Sequence, residues 1–477
     1  MRRRGEGWSA VDWRGRKVAV VGLGRENVPL ARYLAARGAR ITGLDRQPPG
    51  DLPAAARDLA ALGVRLEGGP GYLEVLASED FDAVFLTPGM VKDAPEIQAA
   101  RRRGAVITSQ TNLFLHLCRA PVIGITGSSG KSTTTSLVGR ILAGDGRRPV
   151  HVGGNIGRPL IEQVDDIGPD AWVVLELSSF QLELVDRSPH VAVLLNLRPN
   201  HLDVHGSMAA YEAAKRRIFR FQRPDAGDVA VFSHDDPVVR AMAADAPART
   251  VFFGTGEGIE HGAALRDGWV GLVDGPRWRP VLPAAEVPLP GAHNLLNVLA
   301  ASAVAGICGV EPETVRAAVA GFEGLEHRLQ VVGEMDGRRF VNDSIATAPD
   351  RAAAALTTFD EPVVWIAGGY DKGVPFDDLA ALALRRPLRA VVLTGPAAGR
   401  IHEALERASQ RLDLPVPPVH RAASFDEAVE TAARLARPGD VVLLSPACAS
   451  YDAFRDFVQR GRRFAELVQA LAAASGS

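Results

Sequence analysis

Cysteine, lysine and long apolar runs are all scarce in this sequence of 477 residues. The three cysteines, at positions 118, 308 and 448, lie far apart and outside any CxxC or CxxH pattern, which favours neither a disulfide framework nor a zinc site. The first apolar run, residues 18–21, is too short for the core of a signal peptide. No later run approaches the ~18 residues of a membrane span. We therefore expect a cytoplasmic protein with no membrane partner.

Charge of one sign is not in excess either. The formal net charge is −2 at pH 7, and 23% of the residues are charged while 47% are hydrophobic. This near balance gives no electrostatic reason to expect nucleic acid as a partner. The length exceeds what one ordinary hydrophobic core serves and favours about three domains. The composition is typical of a globular enzyme.

Arginine stands almost everywhere that lysine could, and it supplies 49 of the 54 basic side chains. The five lysines are at positions 17, 92, 131, 215 and 372. In such a chain a lysine is favoured where a compact ammonium or a reactive amine is needed. Lys131, Lys215 and Lys372 are therefore candidates for chemistry, although a solvent-facing helix lysine is the simpler interpretation of Lys215 taken alone.

Residues 121–134 predict a strand, a glycine-rich turn and a helix. Backbone N–H groups of such a turn can surround phosphate oxygens, Lys131 can reach the outer phosphates, and the Ser132 hydroxyl can bind Mg²⁺. The helix adds its positive N-terminal end. Gly130 precedes Lys131 as in a standard phosphate loop, but five residues separate it from Gly124 where the standard loop has four. A plain glycine–serine turn before a surface helix is the alternative.

Several strands of buried type end in polar residues. The strand predicted at residues 171–176 delivers Glu176, where a Mg²⁺ ligand facing a phosphate loop is expected. Residues 191–195 lead into a polar segment that contains His201. Ligands of parallel-sheet folds lie at this carboxyl edge. Because several strands in succession are hydrophobic and then end in a ligand-type polar residue, we predict that these residues form one site. For each residue taken alone, a turn or a solvated edge is the alternative.

The first segment, residues 17–45, predicts a βαβ unit that opens with a Gly-Leu-Gly turn. A dinucleotide-binding turn needs a third glycine at position 27, where this chain has Asn27. A nicotinamide site is therefore disfavoured, although Arg46, after the second strand, can address a ribose or a phosphate.

Later segments predict a change of sheet type. Residues 256–283 predict short antiparallel strands, and the strands beyond Gly324 alternate with helices as in a parallel sheet. Between them, Asn294 and Asn297 lie three residues apart on one face of a predicted helix. They can hydrogen-bond an adenine edge or simply begin the helix.

Taken in order, the motifs resemble those of the Mur ligases, from about Lys17 to Phe464. The most specific parts are Glu-Leu-Ser-Ser-Phe-Gln at 176–181 and Leu-Ser-Pro-Ala-Cys-Ala-Ser at 444–450. The other matching motifs are Ile125–Thr133, Gly154–Gly157, Asn200–Asp203, Tyr211 with Lys215, His293-Asn294 with Asn297, Glu326–Arg328 and Asn342–Ser344.

The resemblance implies an α/β chain of three domains. These are an N-terminal Rossmann-like domain that binds a UDP-sugar (residues 1–118), a central P-loop ATP-binding domain (119–324) and a C-terminal Rossmann-like domain that binds glutamate (325–477).

The resemblance also implies the activity. ATP phosphorylates a substrate carboxylate to give an acyl phosphate and ADP, and the amine of glutamate then displaces phosphate as the amide forms. The implied substrates are ATP, UDP-N-acetylmuramoyl-L-alanine and glutamate, expected as the D isomer. Mg²⁺ is expected at two sites, the product is a peptidoglycan precursor, and we expect a monomer.

The resemblance assigns roles to individual residues. Lys131, Lys215 and His201 are expected to be catalytic. The expected metal ligands are Ser132, Glu176, His201 and Lys215, the last as a carbamate formed with CO₂. Those expected at the nucleotide are Gly127, Ser128, Ser129, Gly130, Lys131, Ser132, Thr133, Asn294, Asn297, Arg328 and Asp343. Those expected at the sugar nucleotide or at glutamate are Leu23, Arg46, Thr87, Asn155, Thr347, Lys372, Ser445 and Phe454.

The chain departs from the family pattern at two places. Ile345 stands where a lysine is usual, so that a cation is missing, and Lys372 and Arg455 are the candidate replacements. The isomer of glutamate is then an inference from the family alone. The turn at residues 22–27 lacks the usual small residues, which leaves the uridine contacts open. The alternatives are a ligase of the same fold with another acceptor, including L-glutamate or a folate, and a nucleotide-binding regulator that hydrolyses ATP without ligation.

Overall fold

The computed structural model describes residues 8, 11–200, 202–289, 291–322, 324–371 and 373–475. These residues form three β-sheets of five, nine and six strands, with helices between the strands. The first two sheets belong to one compact unit, which extends to Phe322, and the third belongs to a second unit. The α/β class predicted from the sequence is confirmed. No helix in the described ranges is long and apolar enough to cross a bilayer.

The first sheet is entirely parallel. Its strands are β1 (Lys17–Val21), β2 (Arg40–Asp45), β3 (Arg65–Gly68), β4 (Ala83–Leu86) and β5 (Val106–Thr108). The helices are α1 (Asn27–Ala35), α2 (Ala54–Arg57), α3 (Glu74–Ser78), α4 (Pro95–Arg102) and α5 (Gln110–Leu117). The spatial order β3-β2-β1-β4-β5 reverses direction between β1 and β4, and ligands of open α/β sheets bind beside such a reversal.

The second sheet joins a parallel part to an antiparallel part. Its strands are β6 (Val122–Thr126), β7 (Val150–Gly154), β8 (Trp172–Glu176), β9 (Val191–Leu194), β10 (Val229–Ser233), β11 (Arg249–Gly254), β12 (His261–Arg266), β13 (Trp269–Asp274) and β14 (Arg277–Pro283). The order is β14-β13-β12-β11-β10-β9-β6-β8-β7. Only the β12-β13 and β13-β14 pairs are antiparallel, so that the prediction for residues 256–283 is confirmed.

Seven helices flank this sheet in the described ranges. They are α6 (Lys131–Asp145), α7 (Ser179–Leu182), α8 (Leu202–His205), α9 (Met208–Arg220), α10 (Pro237–Met242), α11 (Ala292–Ile307) and α12 (Pro312–Ala320). The strand β6 lies between β8 and β9 and is buried along its whole length. This central position fixes the loop that follows β6 beside the ends of both neighbours.

The third sheet is parallel except at one edge. Its strands are β15 (Gln330–Met335), β16 (Arg338–Asn342), β17 (Val363–Gly368), β18 (Leu388–Thr394), β19 (Val419–Arg421) and β20 (Val441–Leu444), in the order β15-β16-β20-β17-β18-β19. Only the β15-β16 pair is antiparallel. The helices are α13 (Pro349–Leu356), α14 (Asp377–Ala383), α15 (Ala398–Leu412), α16 (Phe425–Leu435) and α17 (Phe457–Ser475).

A single hydrophobic core joins the first two sheets. Leu30 and Leu34 of α1 belong to the same buried cluster as Ile161 and Val164, which lie between β7 and β8. Burial of apolar area across this boundary stabilises the pair of sheets as one body. The polar loops of both sheets are therefore held at fixed positions relative to each other.

Candidate active site

The loop between β6 and α6 depends on glycine at position 130. Gly130 has φ +80°, and a Cβ there would come within 2.3 Å of Asn297 Oδ1. Any other residue would meet both backbone strain and a collision. The helix α6 begins at the next residue, Lys131, so that its positive end faces the loop.

The loop is also held by residues that follow β9. The Ser129 N–H donates to Asn196 Oδ1 over 2.9 Å, and the Ser128 hydroxyl donates to the Arg198 carbonyl over 2.9 Å. The Tyr211 hydroxyl lies 3.0 Å from Ser128 Oγ. Sequence reasoning missed Asn196 as a loop-holding residue; its position at the end of a buried strand was the available signal.

Two lysines meet at this loop. Lys131 Nζ donates to the carbonyls of Gly127 (2.9 Å) and Ser128 (3.0 Å), while Lys215 Nζ donates to Gly127 (2.8 Å) and to Thr126 Oγ1 (3.2 Å). Lys215 is only 1% exposed, so its interpretation as a solvent-facing helix lysine is wrong. Burial, and then the charge of Lys131, lower the pKa of Lys215 well below its usual value.

Glu176 closes the site from the other neighbouring strand, β8. Its side chain is 2% exposed, and Oε1 accepts a hydrogen bond from Asn155 Nδ2 over 2.7 Å. Oε2 is buried with no hydrogen-bond partner among the described residues. A buried carboxylate oxygen without a partner is costly unless a cation or a donor binds it.

This set of groups fits a magnesium ion. Mg²⁺ prefers one or two protein oxygens together with phosphate and water, and Glu176 Oε2 offers such an oxygen beside a phosphate-type loop. In the part of the chain that the structure describes, no group of three or more His, Cys, Asp or Glu side chains could hold a metal by itself. Among the described residues, the remaining protein ligands would be a serine and a modified lysine, together with phosphate or water. His201, a predicted ligand, lies outside the described residues.

The segment after Glu176 connects the two sheets. Ser178 and Gln181 form a capping box, in which Gln181 N–H donates to Ser178 Oγ (3.2 Å) and Ser178 N–H donates to Gln181 Oε1 (2.9 Å). The amide nitrogen of the Gln181 side chain is left to donate to Glu26 Oε1 over 2.7 Å. Burial raises the pKa of the Glu26 carboxyl to about 7.

The predicted sugar-nucleotide residues lie at the carboxyl edge of the first sheet. Leu23 and Thr87 follow β1 and β4, and the Leu23 N–H donates to Asp45 Oδ2 over 2.8 Å. Arg46 follows β2 and is exposed. Asn27 Nδ2 donates to the carbonyl at the end of β1 over 2.9 Å. The amide of Asn27 therefore binds its own strand at the position where a dinucleotide turn has its third glycine.

Asn294 and Asn297 pack beneath the phosphate-type loop. Asn297 Nδ2 donates to Asn294 Oδ1 over 3.0 Å, and the Thr134 hydroxyl donates to Asn297 Oδ1 over 3.3 Å. Both asparagines are buried. They therefore join α11 to α6 and do more than begin a helix.

In the second unit, Asp343 is a buried carboxyl group. The Ser445 hydroxyl donates to Oδ2 (2.8 Å) and the Leu329 N–H to Oδ1 (3.3 Å). Burial raises the pKa of Asp343 to about 7, against the opposing charges of Arg328 and Arg351. Arg351 was missed as a cation near Asp343, whereas the predicted replacement Arg455 has a side chain that is 84% exposed.

The predicted glutamate residues that the structure describes differ in burial and in their neighbours. Ser445 is fully buried under its bond to Asp343, and Thr347 is partly buried in the next turn. Phe454 stacks edge to face on Phe425, with ring centroids 5.0 Å apart. It lines a cavity of about 260 Å³ whose wall also includes Gly369, Thr394, Gly395, Phe425 and Arg460. Lys372 lies outside the described residues.

Known proteins are similar to this chain over nearly its whole length. The Mur ligase middle domain matches residues 125–305, and the Mur ligase glutamate ligase domain matches residues 327–448. The UDP-N-acetylmuramoylalanine--D-glutamate ligase of Symbiobacterium thermophilum is 52% identical over 95% of this chain and 98% of its own length. The protein of the same name from Acetivibrio thermocellus is 40% identical over 96% and 97%.

Solved structures agree on the fold. The UDP-N-acetylmuramate-alanine ligase MurC of Thermotoga maritima has a TM-score of 0.55 at 22% identity and covers 96% of this chain and 100% of its own. The MurF ligase of the same organism, solved in complex with ADP, has a TM-score of 0.56 at 19% identity and covers 97% and 96%. The chain therefore belongs to the Mur ligase family, among the UDP-N-acetylmuramoylalanine--D-glutamate ligases.

Proposed function

We propose that this chain joins D-glutamate to UDP-N-acetylmuramoyl-L-alanine, with ATP as the energy source, in the synthesis of a peptidoglycan precursor. The observation that carries the proposal is that three groups meet at the carboxyl edge of the second sheet. There the phosphate-type loop and the buried amine of Lys215 lie together with the carboxylate oxygen of Glu176 that has no partner among the described residues. The relatives are named as UDP-N-acetylmuramoylalanine--D-glutamate ligases, and the loop, the amine and the carboxylate are groups that an ATP-dependent ligation needs.

The reaction has two steps. The carboxylate of the L-alanyl group attacks the γ-phosphorus of ATP, the bond to the bridging oxygen breaks, and ADP leaves with that electron pair. The amine of D-glutamate then attacks the carbonyl carbon of the acyl phosphate. It loses a proton as the amide forms, and phosphate leaves. Both steps gather negative oxygens, so that positioning and positive charge are what the protein must supply.

The loop and Lys131 supply that charge. The backbone N–H groups of residues 127–130 and the N-terminal end of α6 address phosphate oxygens, and Lys131 is proposed to move from the loop carbonyls to the γ-phosphate. Ser128, Ser129 and Thr133 complete the proposed loop contacts. Asn294 and Asn297 support the loop from below and are proposed to contact the nucleotide.

Ser132, Glu176, His201 and carbamylated Lys215 are proposed to hold Mg²⁺ at two sites. When bound, the metal neutralises negative charge on phosphate oxygens. Carbamylation is addition of the neutral amine of Lys215 to CO₂, with loss of one proton, and it replaces the neutral amine by an anion. The lowered pKa of Lys215 favours the neutral amine that this addition needs.

Other residues are proposed to bind the substrates. Leu23, Arg46, Thr87 and Asn155 would hold the sugar nucleotide, and Arg328 and Asp343 the nucleotide. Lys372, Thr347 and Phe454 would address D-glutamate. We propose that Ser445 acts by holding Asp343, because its hydroxyl is already bonded there. The domain boundaries proposed from the sequence, after residues 118 and 324, are retained. A cytoplasmic location is proposed, since ATP is the energy source, and the monomer expected from the sequence is retained.

The test is the substrate requirement for phosphate release. The protein is incubated with ATP, Mg²⁺, UDP-N-acetylmuramoyl-L-alanine and D-glutamate, and then with each carbon substrate omitted. Release that needs both substrates, with formation of the amide product, supports ligation. Equal release without the sugar nucleotide would instead indicate a regulatory ATPase, and a preference for L-glutamate or for another acceptor would indicate a different ligase.

A further inference from the structure

Arg25 reaches from the turn of the first sheet to the loop after β7 in the second. Its guanidinium donates to the carbonyl oxygens of Asn155 (3.2 Å), Gly154 (3.5 Å) and Gly157 (2.5 Å). Three carbonyls of one short loop are thus held by one side chain. No motif considered above gives Arg25 a role.

The loop that Arg25 holds is bonded directly to Glu176. Asn155 N–H donates to the Glu176 carbonyl over 2.8 Å, and Asn155 Nδ2 donates to Glu176 Oε1 over 2.7 Å. Gly154 lies so close that a Cβ there would come within 2.3 Å of the Glu176 carbonyl oxygen. A shift of this loop would therefore shift the amide that orients the Glu176 carboxylate.

The neighbouring residue acts on the other side of Glu176. Glu26 accepts the Gln181 side-chain amide over 2.7 Å, and Gln181 belongs to the capping box that follows β8. Arg25 and Glu26 together hold both segments that flank Glu176. Only Arg25 acts on the segment that contacts the carboxylate itself.

We propose that Arg25 is a positioning residue for the magnesium site, acting through the 154–157 loop and Asn155 to orient the Glu176 carboxylate. The proposal rests on the function proposed above. It requires a guanidinium, because a planar fork of five N–H donors can bind several carbonyls at once, whereas a lysine ammonium is a point charge. Residues that orient a metal ligand usually change metal affinity when they are replaced.

The matched control is Arg37. It pairs with Asp165, which lies between β7 and β8, and so also joins the first sheet to the second. In the described part of the chain, its side chain donates to Tyr33 and Asp165 and not to the 154–157 loop. Arg25→Gln and Arg37→Gln each remove one cation together with its polar contacts between the sheets. Only the first removes a contact to the loop that orients Glu176.

The test is the affinity of the full-length protein for Mg²⁺, measured by titration calorimetry in the presence of saturating ADP. Replacing a direct partner of a ligand costs roughly 10- to 100-fold in metal affinity. For Arg25→Gln, one step further away, we expect a loss of about 3- to 10-fold, a smaller loss for Arg25→Lys, and less than twofold for Arg37→Gln. Binding of ADP in EDTA should be the same in all four proteins.

Two results would overturn the proposal. Equal losses in Arg25→Gln and Arg37→Gln would mean that Arg25 only joins the sheets. Unchanged Mg²⁺ affinity with a raised KM for UDP-N-acetylmuramoyl-L-alanine would mean that Arg25 meets the sugar nucleotide directly. The calorimetry does not depend on turnover. Absence of ligation by the unmodified protein would therefore contradict the proposed function, while the effect of Arg25 on Mg²⁺ affinity could still be measured.

Discussion

The ammonium nitrogens of Lys131 and Lys215 share one acceptor, the carbonyl oxygen of Gly127, at 2.9 and 2.8 Å. Burial makes a charged Lys215 costly, and the repulsion between two cations on one oxygen adds to that cost. Both effects lower the pKa of Lys215. The pair and its loop therefore favour the uncharged form of Lys215 more than an exposed site would, and the predictions for Lys215, Lys131 and Gly130 follow from them.

Replacing Lys215 by alanine should nearly abolish ligation, and short-chain carboxylic acids should partly restore it. The reason is that acetate or propionate can occupy the space of the carbamate and provide an anionic oxygen. The measurement is the ligation rate against acid concentration. Lys131→Ala is the control and should not respond, since a carboxylate cannot replace a cation. No recovery of Lys215→Ala with any acid would count against the carbamate.

Replacing Lys131 by alanine should lower the turnover number by about 10²–10³, the usual loss for one preorganised charge-stabilising group. The rate of amide formation under saturating substrates measures this. Lys17→Ala is the matched control, because Lys17 is an exposed lysine at the start of β1, and it should keep the full rate. Near-normal turnover in Lys131→Ala would remove its assigned role.

Gly130→Ala should abolish nucleotide binding, whereas Gly146→Ala should not. Both glycines have positive φ, +80° and +67°, so that both substitutions cost about 1 kcal/mol in backbone strain. Only at Gly130 would the new Cβ meet another group, Asn297 Oδ1; at Gly146 nothing lies within 4 Å. Titration with ADP separates the two effects. Equal affinities in the two variants would show that the loop can move away from Asn297.

Asp343 should make the stability of the protein depend on pH. Its folded-state pKa is about 7, above the ordinary 3.8, so the folded chain binds an extra proton between about pH 4 and 7. Its contribution to the free energy of unfolding therefore falls as the pH rises through that window. At 1.36 kcal/mol per pKa unit, the change is of the order of 2–4 kcal/mol. Urea unfolding of the unmodified protein and Asp343→Asn at pH 5 and pH 8 measures it.

The control for this pH experiment is Asp377→Asn. Asp377 is partly exposed, and a hydrogen bond from Arg407 lowers its pKa. This carboxyl is therefore ionised at both pH 5 and pH 8 in the folded and the unfolded chain. Its replacement should leave the pH dependence unchanged. The interpretation of Asp343 fails if the unmodified protein and Asp343→Asn lose stability in parallel between pH 5 and 8.

Local sequence was enough for much of the fold. The buried strands at 17–21, 122–126 and 172–176 end in glycine or polar residues, and that pattern alone placed the phosphate-type loop and Glu176 at the same edge of a sheet. It also disfavoured a nicotinamide site, and Asn27 bonds its own strand where the third glycine would stand. These features were predictable because strand periodicity and turn chemistry are properties of neighbouring residues.

Other parts of the site depend on residues far apart in the chain. The sequence could not show that Asn196 holds the loop, that Ser445 is occupied by Asp343, or that Arg25 grips the 154–157 loop. The partners in these pairs are separated by 67, 102 and 132 positions. Each pair rests on a few polar contacts with no repeating sequence pattern around them.

The sequence by itself determined the class of fold, the phosphate-type loop and the types of side chain available for ligation chemistry, because these features depend on residues that are close together in the chain. Only the tertiary structure decided that Lys215 is buried beside Lys131 and that one oxygen of Glu176 has no partner among the described residues. It also decided that Arg25 donates to the carbonyl of Asn155. Burial and electrostatic neighbours are set by how sheets and helices pack, and packing brings together residues that the chain itself keeps apart.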